Sequence, residues 1–351
     1  LLTYGASPSG HLATPASLNQ IEIAQALLEF GANPNEGLTP AVGGNHTPMV
    51  KMLLDFGASP AGQLNTACLN NNLDIVKLLL IAGADSNEGM QGAMTVNNTE
   101  MARVLLEYGA SPHGYMHVPA AKGNLDIVLM LLDAGANANE GLAAAISGNH
   151  NSVVQLLLQR GANVQTGMLN EPAGRGNLEM VTMLVDAGAN PEEGMPPAVN
   201  AGHTPVVSFL IERGADGSKQ EYLITAVGHD YFSMIPVLIN AGGNKDYKDA
   251  NGNSFLHITA QNKFLSSFLE LVKAGCDINV KNNEGNTVLH MAARQGKRNL
   301  AMVTQAVELG ADVNAANNKG QTVRRYARSH KVKKYLKSKG ALRKIKPVKA
   351  N

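Results

Sequence analysis

Tryptophan is absent from this 351-residue chain, and aromatic residues make up only 4 % of it. A core built on stacked rings is therefore excluded. Burial falls to Leu, Val, Ile, Met and Ala, and hydrophobic residues are 44 % of the chain. Cysteine is nearly absent too. Cys68 and Cys276 stand alone in distant segments, so the chain has no disulfide framework. A reducing, intracellular and cytoplasmic setting fits this usage best. No apolar run reaches the length of a membrane helix, and no secretory leader pattern occurs. Also missing are a GxxxxGK[ST] loop, a strand-linked GxGxxG, and any Cys or His pair at ligand spacing on one helix. These absences argue against nucleotide, dinucleotide and zinc chemistry, and we expect no catalysis, cofactor or metal.

Acidic residues vanish from one region. From Lys319 onward there are 13 Lys and Arg and no Asp or Glu, leaving 16 basic and 28 acidic residues before it, a net of −12. The body is acidic and the C-terminal segment basic.

What the chain does have is glycine at a fixed interval. Gly5, Gly31, Gly57, Gly83, Gly109, Gly135 and Gly161 are spaced by 26, and Gly188, Gly214, Gly242, Gly275, Gly310 and Gly340 follow at 27, 26, 28, 33, 35 and 30. A period in this range means a repeat array. The clearest unit is GNHTPMVKMLLDFGA (44–58). Thr47 is expected to cap its helix and Pro48 to open it; Gly57 should stop it in the left-handed region. Leucines recur three and four residues before most of these glycines, as in Leu53/Leu54 and Leu131/Leu132, with Val185, Ile211 and Ile239 taking the nearer position later on. Nineteen before the glycine stands a large apolar residue such as Leu12, Leu38, Leu64, Met90, Met116, Leu142, Met195 or Leu223, and sixteen before it, from Gly31 through Gly242, always Ala or Pro. Between these blocks lies Asn19, Asn45, Asn71, Asn97, Gly123, Asn149, Gly176 or Gly202, residues that enter the left-handed region cheaply. Each unit thus reads as a short first helix, a tight turn and a second helix ending at its glycine.

Three stretches then carry a family resemblance: GNSFLHITA (252–260), GNTVLHMAARQG (285–296) and GADVNAANNKGQT (310–322). They resemble the ankyrin repeat, with its T-P-L-H-x-A signature in a 33-residue period; Thr287, Leu289, His290 and Ala292 match it, as do Leu256 and His257. The resemblance implies an all-α helix-turn-helix solenoid, twelve complete units after an N-terminal fragment, LLTYGA, that suggests further protein upstream. With neighbouring helices about 10 Å apart, such a stack would run to about 120 Å. Most units are about seven residues short, between the glycine and the first helix. We therefore expect blunt loops, such as 35–38 and 87–90, over residues 1–243. Standard-length repeats with projecting fingers near 243–253, 276–286 and 311–321 are expected over 244–341, and a basic tail over 342–351. Residues 216–256, with Pro236, form the transition, where the superhelix could bend. The last repeat, polar nearly all round, suits a terminal cap, and 342–351 is expected to fray.

Candidate chemistry is sparse. His46, His150 and His203 share one inter-helix position; His257 and His290, by resemblance, bond neighbouring loops. Glu192 and Glu193 are read as solvated on a loop, and Cys68 as a buried small residue. An extended concave solenoid face is a binding surface, so the expected function is a protein–protein interaction scaffold or adaptor, monomeric. Large residues off the periodic positions are its candidate anchors: Tyr115, His117, Arg175, Tyr222, Tyr231 and Phe232. Two other readings stand beside it. One is the targeting half of an enzyme whose catalytic domain lies upstream, including a secreted bacterial effector acting in host cytosol. The other is a tether to nucleic acid or anionic membrane through Arg324, Arg325, Arg328, Lys331, Lys333, Lys334, Lys337, Lys339, Arg343, Lys344 and Lys346. By resemblance, Asn279 sits in an asparaginyl-hydroxylation context.

Overall fold

The computed structural model describes residues 7–344, so Gly5, LLTYGA and Lys346 lie outside the described residues. It is all-α, with twelve helix pairs among the described residues. They divide into two compact units, residues 1–165 and 166–351. The boundary falls where the glycine spacing gains one residue, between Gly161 and Gly188; the change of loop length near 243 lies inside the second unit.

In the first unit the first helices of the pairs are Ala13–Ser17, Asn35–Gly43, Leu64–Leu69, Asn87–Val96, His117–Lys122 and Asn139–Ser147. Their partners are Ile21–Glu29, Thr47–Asp55, Leu73–Ile81, Thr99–Glu107, Leu125–Asp133 and Asn151–Gln159. The second unit opens its pairs with Asn170–Arg175, Pro191–Ala201, Gln220–Gly228, Phe255–Asn262, Val288–Arg294 and Val323–Tyr326. Leu178–Asp186, Thr204–Glu212, Met234–Asn240, Leu265–Lys273, Leu300–Glu308 and His330–Ser338 complete them.

The periodic residues do the packing. Leu12, Leu64, Met90, Met116, Leu142, Leu169, Met195 and Leu223 are fully buried, as are Leu53, Leu79, Leu105, Leu131, Leu157, Leu184, Leu210 and Leu238. Each such side chain contributes about 1.5–3 kcal/mol by leaving water. The Ala or Pro three residues after the first set is buried too, and its small size lets the first helices approach. Gly31, Gly57 and their successors end the second helices at φ near +90, and Asn19, Asn45, Asn71, Asn97 and Asn149 turn the chain between helices at φ 54 to 62.

Side chains then tie each turn to the next. Asn72, Asn98, Asn124 and Asn177 cap their second helices by accepting from Ile75, Met101, Ile127 and Met180 N–H. The Asn72 amide also donates to Asn45 Oδ1 at 2.7 Å, Asn98 to Asn71 at 2.7 Å, and Asn124 to Asn97 at 3.1 Å. Where His replaces the capping Asn, its Nε2–H reaches a carbonyl of the preceding repeat. His46 bonds Ser17 O, His150 Ala121 O and His203 Gly174 O, at 2.9–3.0 Å. This corrects the expected cap at Thr47: His46 is the N-cap residue, without a side-chain cap bond, and the helix starts on Thr47 with Pro48 second.

The repeat is doubled, and the 26-residue spacing conceals this. First helices pack closely in pairs: Ala13–Ser17 on Asn35–Gly43, Leu64–Leu69 on Asn87–Val96, His117–Lys122 on Asn139–Ser147, and Asn170–Arg175 on Pro191–Ala201. The second member of each pair opens on Asn-Glu-Gly, or Glu-Glu-Gly at 192–194. Its Gly sits against the partner helix. A Cβ at Gly89 would lie 3.0 Å from both Cys68 Sγ and Leu64 Cγ, and one at Gly37 3.1 Å from Ala16 Cβ. Its Glu accepts the N–H of a left-handed glycine one repeat earlier: Glu36 from Gly10 at 2.8 Å, Glu88 from Gly62 at 2.9 Å, Glu140 from Gly114 at 2.8 Å and Glu193 from Gly167 at 2.7 Å. Its Asn, or Glu192, accepts from the loop one repeat later, at Ser59, Ser111, Asn163 and Asp216. Glu192 and Glu193 are therefore not loop residues but the first turn of Pro191–Ala201, where the helix N-terminus favours carboxylates.

The last three long loops are hairpin-like fingers. Antiparallel bridges join Lys248 to Ser254, Lys281 to Thr287 and Ala316 to Thr322, and Asn282 and Asn317 donate to Asn253 and Asn286 of the preceding finger at 2.9 Å. Each buried T-P-L-H histidine closes a helix start. His257 Nδ1 lies 3.2 Å from Ser254 N and 2.8 Å from its Oγ, while Nε2–H donates to Asn286 O. His290 does the same with Thr287 and Gln321. Residues 342–343 do not fray. Leu342 N donates to Asn314 Oδ1 at 2.8 Å and its carbonyl accepts from Thr322 Oγ1 at 2.8 Å.

Two predictions test this packing. At Gly92 a Cβ would lie 2.6 Å from Cys68 Cβ and 3.0 Å from Asn65 O, whereas at Gly43 it would meet nothing within 4 Å. Gly43→Ala should therefore stabilise by about 0.5–1 kcal/mol, and Gly92→Ala should destabilise by about 1–3 kcal/mol, in urea denaturation; equal effects would refute the close helix pairing. The second concerns pH. Burial, the larger cause, holds His257 and His290 below the ordinary 6.5. The unfolded chain then binds more protons, so their contribution is complete above pH 6.5 and is lost as pH falls towards the lowered value. The melting temperature should drop across that window, and by less in His257→Gln/His290→Gln, a variant already less stable at neutral pH. Parallel profiles would show that these rings are not neutral acceptors.

Candidate functional site

Among the described residues no group of three His, Cys, Asp or Glu could hold a metal ion. Burial pushes the Cys68 thiol up to about 12 and the Cys276 thiol up to about 11, so neither supplies a thiolate near neutrality. The carboxylates held low are structural. Glu192 is held by Lys219 first and by the Asp216 N–H next. Asp249 stays below its usual range despite burial, through bonds from Asn253 and Asn251. No helix among the described residues is long and apolar enough to cross a membrane.

The six candidate anchors separate. His117 is exposed at the start of its first helix and borders an apolar hollow with Ala121, Ala143, Ala144, Ser147 and Gly148. Phe232 is 49 % exposed, and Tyr115 is half-buried. Arg175 is exposed but pairs with Glu171 at 2.5 Å. Tyr222 corrects the expectation, being 3 % exposed. It stands in the slot that Gly37, Gly89, Gly141 and Gly194 fill in the paired repeats. Here a bulky ring packs instead, with Lys219 Nζ 5.7 Å from its centroid. Tyr231 is corrected as well. Asp230, at φ 60, is the left-handed residue of its repeat, so Tyr231 occupies the position of His203. Its hydroxyl donates to Asn200 O at 3.1 Å and its ring lies 5.5 Å from that of His229. It is an inter-repeat tie.

Asn279 is exposed at a loop base, and its amide is engaged. Oδ1 accepts from Asp312 N at 2.8 Å and Nδ2 donates to Gly310 O at 3.3 Å.

The basic residues do converge. Arg324, Arg325, His330, Lys333, Lys334, Lys337 and Arg343 line one open hollow over the last helix pair. Beside it, Arg294, Lys319 and Arg328 share a second with Glu284, Asn317 and Tyr326. Lys344 is exposed at the edge of the described chain.

A second set, missed by the search for large side chains, was marked by register. The residue directly after the buried large one is exposed in most repeats: Ala13, Thr39, Gln91, His117 and Ala143 in the first unit, where Asn65 alone is half-buried, and Asn170, Pro196 and Ile224 in the second. It differs from repeat to repeat while its neighbours stay aliphatic or small.

Comparison with known families agrees with this architecture. The family model of ankyrin repeats (three copies) matches residues 11–90, 64–141, 116–195, 195–282 and 256–346. No curated protein matches the chain. With matches running from residue 11 to residue 346 over helix pairs of this geometry, the chain belongs to the ankyrin repeat family.

Proposed function

We propose that the chain is a non-catalytic intracellular scaffold or adaptor that grips a partner protein through the face presented by its first helices. Ankyrin repeats are generally protein–protein interaction modules. The observation that carries the reading is the exposed, variable row that runs through Gln91, His117 and Ala143. A repeat array holds its frame with periodic buried residues and leaves such positions free for recognition. His117 belongs to that row and has the apolar hollow beside it; this combination of a polar ring and apolar area suits an interface anchor. Phe232 supplies an exposed aromatic in the second unit. On this reading the short-looped segment 1–243 offers mainly its first helices, and 244–341 adds three fingers to the contact surface.

The test compares two faces. Affinity capture with the full chain as bait would supply the partner, which is then purified. His117→Glu/Ala143→Glu should weaken its binding about tenfold or more, about 1.4 kcal/mol, as should Phe232→Ala in the second unit to a smaller degree. Lys51→Glu and Glu107→Lys, exposed on second helices, should leave affinity and melting temperature unchanged. Loss of binding in the second-helix variants alone would overturn the assignment.

A further inference from the structure

We propose that the hollow over the last helix pair binds a compact ligand carrying several phosphate groups, such as an inositol polyphosphate, free or as a lipid headgroup. The two sources share one chemistry, and the proposal does not depend on the first-helix reading above.

Geometry supports a site. Arg324 and Arg325 come from the helix Val323–Tyr326, and Lys333, Lys334 and Lys337 from His330–Ser338. Arg343 reaches the same hollow from the chain beyond, held there because Thr322 Oγ1 donates to the Leu342 carbonyl and Leu342 N–H to Asn314. The cations are thus fixed on a rigid frame. No acid lines the hollow, and no ion pair among the described residues involves these side chains. Guanidinium forks suit bidentate phosphate contact, and the lysines add point charges.

Energetics point the same way. Lys333 and Lys337 are four apart on one helix, and Lys334 and Lys337 three apart; like charges at these spacings destabilise a helix. A terminal cap needs polarity, which alternating signs would supply without this repulsion. A bound polyanion relieves it.

The surroundings favour a compact ligand over a long one. Residues 166–318 carry 11 basic and 16 acidic residues; Glu284 and Glu308 stand on the preceding repeat, and Asp312 opens the last one. An extended nucleic acid would run from the two basic hollows into this net negative charge. The aromatic platforms that single strands need are also occupied. Tyr326 accepts from Arg294 Nη1 at 2.9 Å with the guanidinium 5.5 Å from its ring, and Lys339 lies 5.8 Å from the Tyr335 ring.

The experiment titrates the full chain with inositol hexakisphosphate by calorimetry at several salt concentrations. Wild type should bind, with log K falling as log salt rises. Arg325→Ala/Lys334→Ala/Lys337→Ala should bind at least tenfold more weakly, with an equal or higher melting temperature because repulsion is relieved. Co-sedimentation with phosphatidylcholine vesicles, with and without phosphatidylinositol 4,5-bisphosphate, separates the sources. Capture only by the phosphorylated vesicles assigns a lipid headgroup, and titration without capture assigns a free ligand; both support the site. No binding by wild type at physiological salt, equal binding by the variant, or tighter binding of a short DNA duplex or a poly-glutamate peptide under the same conditions would overturn it.

Discussion

No helix pair in this chain can hide its own apolar side chains. A nine-residue second helix such as Leu73–Ile81 carries Ile75, Val76, Leu79 and Leu80, all buried, while its first helix, Leu64–Leu69, is too short to cover them. The next repeat must supply the other wall. Everything regular about the sequence follows from that need: the large residue on the first helix, the Ala or Pro that lets neighbours approach, and the leucines before each glycine. Burial of this kind is roughly proportional to area and has no direction, so it fixes neither register nor orientation. Direction comes from hydrogen bonds between repeats. The Asn72–Asn45 and Asn98–Asn71 ties, and the Glu88–Gly62 bond, each link residues about one repeat apart, and each is made only when neighbouring turns are in step.

Pairing of the first helices adds a second level. Glycine in a helix costs about 0.5–1 kcal/mol relative to alanine, yet Gly37, Gly89, Gly141 and Gly194 all lie inside helices. What offsets this cost is proximity: the helices come so close that a Cβ at these positions would crowd Leu64, Cys68 and their equivalents. The carboxylate one residue earlier then anchors the preceding loop. Without a long finger, a repeat loses the ties that run between Asn253, Asn282 and Asn286 in the finger-bearing segment; the Asn-Glu-Gly box restores loop-to-loop bonding with fewer residues. The short loops and the doubled repeat are two sides of one solution.

How much of this was legible in the residues depended on periodicity. The terminal glycines, the left-handed Asn between helices, the aliphatic core, the buried Cys68 and the three fingers could all be placed, because each recurs or matches the family signature. Doubling was equally present, in NEG at 35–37, 87–89 and 139–141, but aligning on the commoner glycine averaged it away. Misreadings gathered where one residue replaces another of different size in a shared slot. Tyr231 takes the place of His203, so it looked like a free aromatic; Tyr222 takes the place of a glycine, so its ring was counted as surface. Glu192 and Glu193 read as loop residues, whereas Pro191 opens a helix that takes both into its first turn. The variable row through His117 was hard to see because most of its members are small. Large side chains stand out in a sequence, whereas exposure depends on register.

Charge, unlike packing, has no periodic cause in this chain. Acidic excess over residues 1–318 is spread across both helices of the repeats and their loops, where single carboxylates keep an array soluble at little energetic cost. The last repeat breaks that habit. Val332 and Leu336 of its second helix are buried against the preceding repeat, which satisfies the requirement to end the stack. The remaining positions need only be wet, and aspartate or glutamate would serve as well as lysine. Solubility asks for net charge of either sign; a cap asks for polarity of any kind. Neither demand accounts for cations drawn from two helices and the following chain facing one hollow that no acid lines. Uniform sign at short range raises the free energy of the folded state, so a structural role alone would select against it. A bound polyanion, as proposed above, would supply the opposite charge and relieve that repulsion.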